Sequence, residues 1–182
     1  MHKVSDNLYL SELSESDLKE YYYWKYIDAE QQAKKWNGPY IKEETYSFEQ
    51  FKRNYNTNKF LYNHVHSCLA IKYKDEFIGV VTAYWKDPYS KWIECGIVIY
   101  KNNNWEKGLG SQIFSDWIDH LFTNTDTNRI GISTWSGNIR MIKVANKIGM
   151  VEEARIRQGR IVRGQSYDAI QMGILKEEWQ EG

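Results

Sequence analysis

Residues 92–112 read WIECGIVIYKNNNWEKGLGSQ, and this stretch decides the fold. It begins with a dense apolar run rich in β-branched and aromatic residues, which is typical of a buried strand. Residues 101–104 (KNNN) then interrupt the run, because short amide side chains bond their own backbone and favour turns. Apolar residues at helical spacing follow Gly108 and Gly110 as far as Phe122. The stretch therefore predicts a strand, a tight glycine loop and a helix.

The glycine loop has the character of a phosphate-binding site. A helix that starts with glycines presents bare backbone N–H groups at its positive end, which suits phosphate or pyrophosphate. A Walker A loop is excluded because no Gly-Lys-Ser/Thr follows, and a dinucleotide fingerprint is excluded because Ile113 replaces the third glycine. Two interpretations of the loop alone stay open. One is an ordinary glycine-bearing turn, and the other is the pyrophosphate pattern R/Q-x-x-G-x-G/A at residues 105–110.

Length and charge restrict the class of protein. The chain has 182 residues, which predicts a single domain, 1–182, with a substantial core. Its 24 basic and 24 acidic residues cancel, so we expect binding neither to nucleic acid nor to an anionic membrane. No run approaches the roughly 18 apolar residues of a membrane span, and the N-terminus lacks a signal-peptide core. The sequence therefore predicts a cytoplasmic protein.

The cysteines and histidines do not form a recognisable metal or disulfide pattern. Cys68 and Cys95 both lie in apolar, strand-like runs, which indicates two buried free thiols. His64 and His66 alternate on a predicted strand and would share one face, but no third ligand lies nearby in sequence. We therefore expect surface histidines and no metal.

The first half of the chain predicts a strand, helices and a strand pair. A strand at Leu8 precedes three helical segments that reach about residue 56, and one of them covers residues 28–36. Residues 65–73 and 77–85 predict antiparallel partners that lead into the central strand.

The second half predicts alternating elements and a closing hairpin. After the loop helix we expect a strand at residues 129–134, a helix capped by Asn138, and a hairpin that turns at Arg163 and Gly164. Strands before and after helices, without strict alternation, predict a mixed sheet in an α+β domain.

Several motifs in this half resemble one family. Residues 138–150 (NIRMIKVANKIGM) are similar to the pattern Asn-x-x-Ser-x-x-Val-x-x-Lys-x-Gly-Phe of the GNAT N-acetyltransferases, with Met141 and Met150 as differences. Residues 105–110 resemble the pyrophosphate loop of that family, although Trp105 replaces its Gln or Arg. Residues 153–179 resemble the closing hairpin of the Rim-type branch, whose founders acetylate the N-termini of ribosomal proteins.

The resemblance implies acetyl-coenzyme A as cosubstrate. It also implies a mixed seven-stranded sheet, flanked by helices, that splays open after the central strand and lets the pantetheine arm bind as a surrogate strand. The thioester would lie beside Val98, and the backbone N–H near this residue would donate to the oxyanion. The implied cofactor-binding residues are Ile97, Val98, Ile99, Trp105, Lys107, Gly108, Leu109, Gly110, Ser111, Asn138 and Lys147.

Glu94 is the predicted general base. It is a carboxylate inside an otherwise apolar strand, and it lies where some family members carry a catalytic Glu. The alternative is that Glu94 faces solvent or pairs with a Lys or Arg. We predict no general acid, because many family members carry a Tyr where this chain has Ala145.

The predicted reaction is transfer of acetyl to a primary amine by direct attack. The acceptor is a protein N-terminus or a small amine, and a homodimer is the expected assembly of this branch. A second hypothesis is a coenzyme A-binding sensor or partner subunit without turnover, for which Met141 and Ala145 would be the signature.

A basic cluster on the closing hairpin bears on the acceptor. It argues against a polycationic acceptor, and its alternative interpretation is a charged sheet edge that resists aggregation. The cluster consists of Arg155, Arg157, Arg160 and Arg163.

Overall fold

The computed structural model describes residues 2–42, 44–105 and 108–181. The strands are β1 (His2–Ser5), β2 (Leu8–Ser11), β3 (Phe60–Tyr62), β4 (Val65–His66), β5 (Cys68–Tyr73), β6 (Glu76–Asp87), β7 (Trp92–Ile99), β8 (Arg129–Trp135), β9 (Val151–Val162) and β10 (Gln165–Leu175). The α-helices are α1 (Glu15–Tyr22), α2 (Phe48–Thr57), α3 (Leu109–Asn124), α4 (Ile139–Lys147) and α5 (Lys176–Glu181). Shorter helical turns are Tyr23–Ile27, Gln32–Lys35 and Asn102–Asn104.

Eight strands form one mixed sheet in the order β1-β2-β5-β6-β7-β8-β10-β9. β7 and β8 are parallel, and the other neighbours are antiparallel. The predicted α+β fold with a large mixed sheet is confirmed, and all seven predicted strands are present. The eighth strand is β1, which the sequence did not predict because its pairing with β2, from His2 opposite Leu10, is a tertiary contact at a sheet edge. β3 and β4 form a separate pair.

Helices cover both faces of the sheet. On one face, α3 buries Ile113, Phe114 and Trp117 against the strands, and Ala145 of α4 joins this cluster. On the other face, Leu18 of α1 and Phe51 of α2 share a second cluster with strand residues. Helices on both faces leave β7 and β8 buried in the middle of the molecule.

Side-chain caps fix the starts of three predicted helices, α1, α2 and α4. Ser14 and Ser47 each form a capping box, and the Asn138 side chain accepts a hydrogen bond from the Met141 N–H. The predicted helix at residues 28–36 is wrong, because only Gln32–Lys35 is helical. Asp28 accepts a hydrogen bond from the Glu30 N–H, and this local bond competes with helix formation.

The feature that positions the site is the divergence of β7 from β8. The two strands pair only at Trp92 with Arg129, Ile93 with Ile130 and Glu94 with Gly131. β7 nevertheless continues to Ile99, and β8 continues to Trp135. The second half of β7 therefore has β6 on one side and an opening on the other.

The thiols have the predicted environment. Cys68 in β5 and Cys95 in β7 are both free and buried. Burial raises the pKa of Cys68 to about 12 and raises that of Cys95 well above its usual value. In the described part of the chain, no helix is long and apolar enough to cross a membrane.

Candidate active site

A cleft of about 510 Å³ occupies the opening between β7 and β8. The end of β7 forms one wall and β8 with the start of α4 forms another, while the N-terminus of α3 and the segment 33–41 contribute further lining residues. The lining residues include Trp36, Tyr40, Ile97, Val98, Ile99, Trp105, Gly108, Gly110, Ser111, Ser133, Asn138, Arg140 and Lys143.

The main chain of β7 offers hydrogen-bonding groups to this cleft. In an antiparallel ladder, alternate residues turn their N–H and C=O groups to the same neighbour. The Tyr100 N–H donates to Ile78 O at 2.8 Å, and Val98 pairs with Val80, so this alternation directs Ile97 and Ile99 toward the opening. It directs the main-chain groups of Val98 toward β6. The oxyanion donor near Val98 stays a prediction, and this alternation favours the neighbouring N–H groups of Ile97 and Ile99 over that of Val98 itself.

The N-terminus of α3 faces the same cleft. Gly108 is its N-cap with φ of +76°, a left-handed conformation that favours glycine, and no side chain caps this end among the described residues. Gly110 lies within the first turn, where an added Cβ would make only ordinary contacts, the nearest at 3.8 Å to Val144. The first-turn N–H groups have no acceptor within the helix. This end of the cleft suits a pyrophosphate.

Two tryptophans hold an arginine at the rim of the cleft. The guanidinium carbon of Arg140, on α4, lies 4.4 Å from the ring centre of Trp105 and 5.4 Å from that of Trp36. The Trp105 indole N–H donates to Ile99 O at 2.8 Å, which anchors the ring to the end of β7. Trp105 therefore does not carry the charge that the family's Arg would carry. Arg140 supplies a cation next to it.

Glu94 lies at the last β7–β8 pair, and it is only 3% exposed. Its Oε2 accepts a hydrogen bond from the Tyr84 hydroxyl at 2.6 Å, and its Oε1 accepts one from the Ser133 hydroxyl at 2.9 Å. Lys86 Nζ lies 3.8 Å from Oε1, so Glu94 also has the lysine ion-pair partner that its alternative interpretation named, although at a distance beyond a hydrogen bond. Ser133 lines the cleft, whereas Glu94 does not. The carboxylate therefore reaches the cleft through the Ser133 hydroxyl.

Aromatic and basic residues surround this carboxylate on the side away from α3. Burial and the hydrogen bond to Glu94 raise the pKa of the Tyr84 hydroxyl well above its usual value, with a smaller electrostatic contribution from Tyr40. Arg160 on β9 lies over the ring of Tyr40, with its guanidinium carbon 4.6 Å from the ring centre. The Trp36 carbonyl accepts hydrogen bonds from the side chains of Trp135 and Asn138. These contacts fix the segment 33–41 beside the reactive end of the cleft.

The structure separates the predicted site residues into two groups. Those that line the cleft are Ile97, Val98, Ile99, Trp105, Gly108, Gly110, Ser111 and Asn138. Leu109, the first residue of α3, instead packs its side chain into the core and does not line the cleft. Lys147 is exposed at the far end of α4, so Lys143, one turn earlier, replaces it at the cleft. The prediction for Lys107 lies outside the described residues.

Other lining residues were missed. Arg140 and Lys143 lie in the recognised motif at residues 138–150, and Ser133 lies in a predicted strand, but their places at the cleft depend on the divergence of two strands. The sequence could have predicted a site role for Lys143, because this residue lies two positions after Met141 in the helix that Asn138 caps. Trp36 and Tyr40 lie outside every motif that the sequence analysis connected with the site.

Comparison with protein families matches residues 7–151 to the acetyltransferase (GNAT) domain. The chain belongs to the GNAT acetyltransferase family. This agrees with a cleft between two parallel strands that diverge, and with the glycine-bearing helix start beside it. The predicted family resemblance is thus confirmed.

One relative matches this chain over part of its length. YdaF of Bacillus subtilis (strain 168), which carries the provisional name of a ribosomal N-acetyltransferase, is 28% identical over 111 residues. The match covers 61% of this chain and 60% of YdaF, so it spans less than two thirds of that relative. It supports the Rim-type branch.

Solved structures share the fold. A spermidine N-acetyltransferase from Vibrio cholerae, in complex with CoA and spermine, has a TM-score of 0.78 at 18% identity and covers 97% of this chain and 99% of its own. RimL, a ribosomal L7/L12 alpha-N-protein acetyltransferase in complex with coenzyme A, has a TM-score of 0.73 at 19% identity, with 95% and 96% covered. The two neighbours differ in acceptor, so the fold leaves the acceptor of this chain open.

Proposed function

We propose that this protein transfers acetyl from acetyl-coenzyme A to a primary amine. The observation that carries the proposal is the opening beyond Glu94 and Gly131, where β7 turns main-chain groups toward a cleft instead of a strand. A pantetheine arm carries amides that pair with such groups. The cleft ends at the bare N-terminus of α3, which suits a pyrophosphate. The residues present therefore fit acetyl-coenzyme A.

The cationic rim supports the same cofactor. Arg140 and Lys143 both line the cleft from α4, on the side of the α3 N-terminus. Coenzyme A carries several phosphate charges, and guanidinium and ammonium groups bind phosphate oxygens. When bound, acetyl-coenzyme A supplies the thioester as the acyl donor. Trp105 holds Arg140 in place through ring stacking, which reduces the entropy that binding costs.

Glu94 is positioned to remove the proton of the attacking amine. An amine at the cleft would donate to the Ser133 hydroxyl, which in turn donates to Glu94 Oε1 at 2.9 Å. Tyr84 holds the other carboxylate oxygen and fixes its orientation. When the amine attacks, its proton would pass through Ser133 to Glu94 as the C–N bond forms, and the thiolate released from the broken C–S bond would take a proton from solvent. N–H groups of Ile97 or Ile99 would stabilise the oxyanion.

A coenzyme A-binding protein without turnover is the competing hypothesis. It is favoured by one observation, since Ala145 is fully buried in the core and offers no acid at the family's tyrosine position. A thiol has a pKa of about 8.5, so the thiolate leaves without strong acid assistance. Direct transfer therefore remains possible with Ala145 in place.

Release of free thiol from acetyl-coenzyme A, measured against a panel of amines, tests the proposal. We expect amine-dependent release together with an acetylated product identified by mass spectrometry. Calorimetry on the same preparation measures coenzyme A binding. Tight binding without any product across peptide N-termini, diamines and amino sugars would contradict transfer and support the non-catalytic hypothesis.

A further inference from the structure

Arginines dominate the charge beside the acceptor end of the cleft. The closing hairpin, β9 and β10, carries three acidic side chains, and each has a described arginine partner. Glu153 pairs with Arg129, while Glu152 and Asp168 both pair with Arg155. Two arginines thus pair with three carboxylates, and Arg157 also attracts Asp168 electrostatically. Arg160 and Arg163 have no carboxylate partner among the described residues.

Both of these arginines contact the segment 33–41, whose Tyr40 lines the cleft and lies within electrostatic reach of Tyr84, the partner of Glu94. Arg163 donates from Nη2 to Lys35 O at 3.3 Å, and Arg160 lies over the ring of Tyr40. Lys34 and Lys35 are exposed on the same segment and add to the positive charge. The hairpin and the segment 33–41 are thus both basic next to Tyr40, which lines the cleft. A polycation would be repelled there.

Arg160 combines this position with an unsatisfied donor. Its Nη1 donates to Gly159 O at 2.9 Å, whereas its buried Nε–H has no acceptor in the part of the chain that the structure describes. A buried donor without a partner destabilises a protein unless a ligand supplies the acceptor. A carboxylate accepts two parallel hydrogen bonds from Nε and Nη of one guanidinium edge. The unsatisfied edge of Arg160 thus matches a carboxylate.

The hairpin backbone is built to place Arg160. Arg160 pairs with Tyr167, but the next pair is Ile156 with Ala169, so three residues of β9 oppose one of β10. Gln158, within this bulge, has φ of +54°, and its N–H donates to Asp168. Bulges of this kind redirect the side chains that follow them. The sequence therefore specifies the orientation of the strand at Arg160 rather than leaving it to a flexible turn.

We propose that Arg160 binds an anionic group of the acceptor, so that the preferred acceptor is a primary amine with a carboxylate close to it. A peptide with acidic residues next to its N-terminus has this chemistry, and so does a free acidic amino acid. The inference rests on the proposed acetyl transfer and specifies its acceptor. It distinguishes this chain from a polyamine acetyltransferase, although a polyamine enzyme shares its fold.

The test compares acceptors that differ only in charge. Two hexapeptides begin with the same residue and carry either two glutamates or two lysines at the next positions; a free acidic amino acid and spermidine form the small-molecule arm. We expect kcat/KM to favour the acidic peptide by about tenfold to a hundredfold, the effect of one charge-assisted hydrogen bond. Preference for the lysine peptide or for spermidine would overturn the proposal. Activity on the free acidic amino acid would identify a small acceptor.

Variants assign the preference to one residue. Arg160→Gln should lose the preference by raising KM for the acidic peptide, with unchanged KM for a neutral peptide and unchanged affinity for coenzyme A. Arg160→Lys should restore part of it. Arg53→Gln is the matched control, because Arg53 is an exposed arginine on α2 away from the cleft. An Arg160→Gln protein that keeps the wild-type preference would refute the assignment while acetyl transfer stands.

Failure of acetyl transfer itself gives a different result. In that case no peptide is acetylated by the wild type, although coenzyme A binds. Calorimetric titration of the acidic and basic hexapeptides into the protein loaded with coenzyme A then decides the matter. Selective binding of the acidic peptide that Arg160→Gln abolishes supports the role of Arg160, and equal binding of both peptides contradicts it.

Discussion

Replacement of Glu94 by Gln removes the proposed general base but keeps the size of the side chain. Gln has nearly the same size, so the packing of β7 against β8 should survive. The Tyr84 and Ser133 hydroxyls donate to the two carboxylate oxygens, and a hydroxyl that faces the new amide group can rotate to accept instead. We therefore expect a stability loss of about 1–2 kcal/mol, from hydrogen bonds that lose their charge assistance. Thermal unfolding measures this loss.

The effect on turnover should be much larger. A positioned base contributes about 10²- to 10⁴-fold, which corresponds to about 2.7–5.4 kcal/mol in the activation barrier. Affinity for coenzyme A should remain unchanged, because Glu94 does not line the cleft. The deficit should shrink at alkaline pH, where the acceptor amine is already deprotonated. Initial rates of thiol release over neutral to alkaline pH, with calorimetry for the cofactor, measure both effects.

Ser133→Ala examines the proton route. The Ser133 hydroxyl lies between Glu94 and the cleft, so its removal should reproduce most of the loss seen with Glu94→Gln. Tyr84→Phe should have the smaller effect, since Tyr84 only orients the carboxylate. Near-normal activity of Glu94→Gln at every pH would refute the assignment of the base. A normal Ser133→Ala protein beside an impaired Glu94→Gln protein would refute the relay alone.

Three further predictions follow from the described geometry. Gly110→Val should fold normally, because a Cβ there meets only ordinary contacts, yet it should raise the Kd for coenzyme A at least about tenfold by filling the cleft, as calorimetry would show. Asn138→Ala should lower stability to denaturant by about 1 kcal/mol through loss of the α4 cap. Cys68 and Cys95 should resist alkylation in the folded protein at mildly alkaline pH and react in denaturant, because burial raises both thiol pKa values. Their double replacement by Ala should reduce stability but not turnover.

Local sequence signals predicted the elements whose geometry is set locally. The closing turn is an example, since Arg163 and Gly164 both have positive φ, as a two-residue hairpin of this type requires. The serine and asparagine caps are another, because each bonds within three residues of itself. The glycine loop belongs here as well, through the left-handed Gly108.

Tertiary contacts decided the elements that local signals missed. β1 exists through its pairing with β2. Residues 28–36 are a different case, because a local aspartate turn competes with the helix that their pattern predicted. The same limit applies to the site. Ser133 and Glu94 are 39 positions apart, and they meet because β8 and β7 are neighbours in the sheet. Arg140 lies beside Trp36 and Trp105 for a similar reason, and no spacing rule along the chain encodes that contact.

The pairing of Glu94 with Gly131 connects the fold to the proposed chemistry. It is the last pair before β7 and β8 diverge, so the carboxylate lies at the apex of the cleft, where the sheet is still continuous and rigid. Position 131 is crowded and suits glycine, because a Cβ there would lie 3.1 Å from Met172 O and 3.4 Å from the Trp92 indole nitrogen. A base at the apex stays fixed by strand pairing, whereas the main-chain groups beyond it are free for a ligand. One structural feature, the end of a parallel pairing, therefore supplies both the rigidity for proton transfer and the opening for the acyl donor.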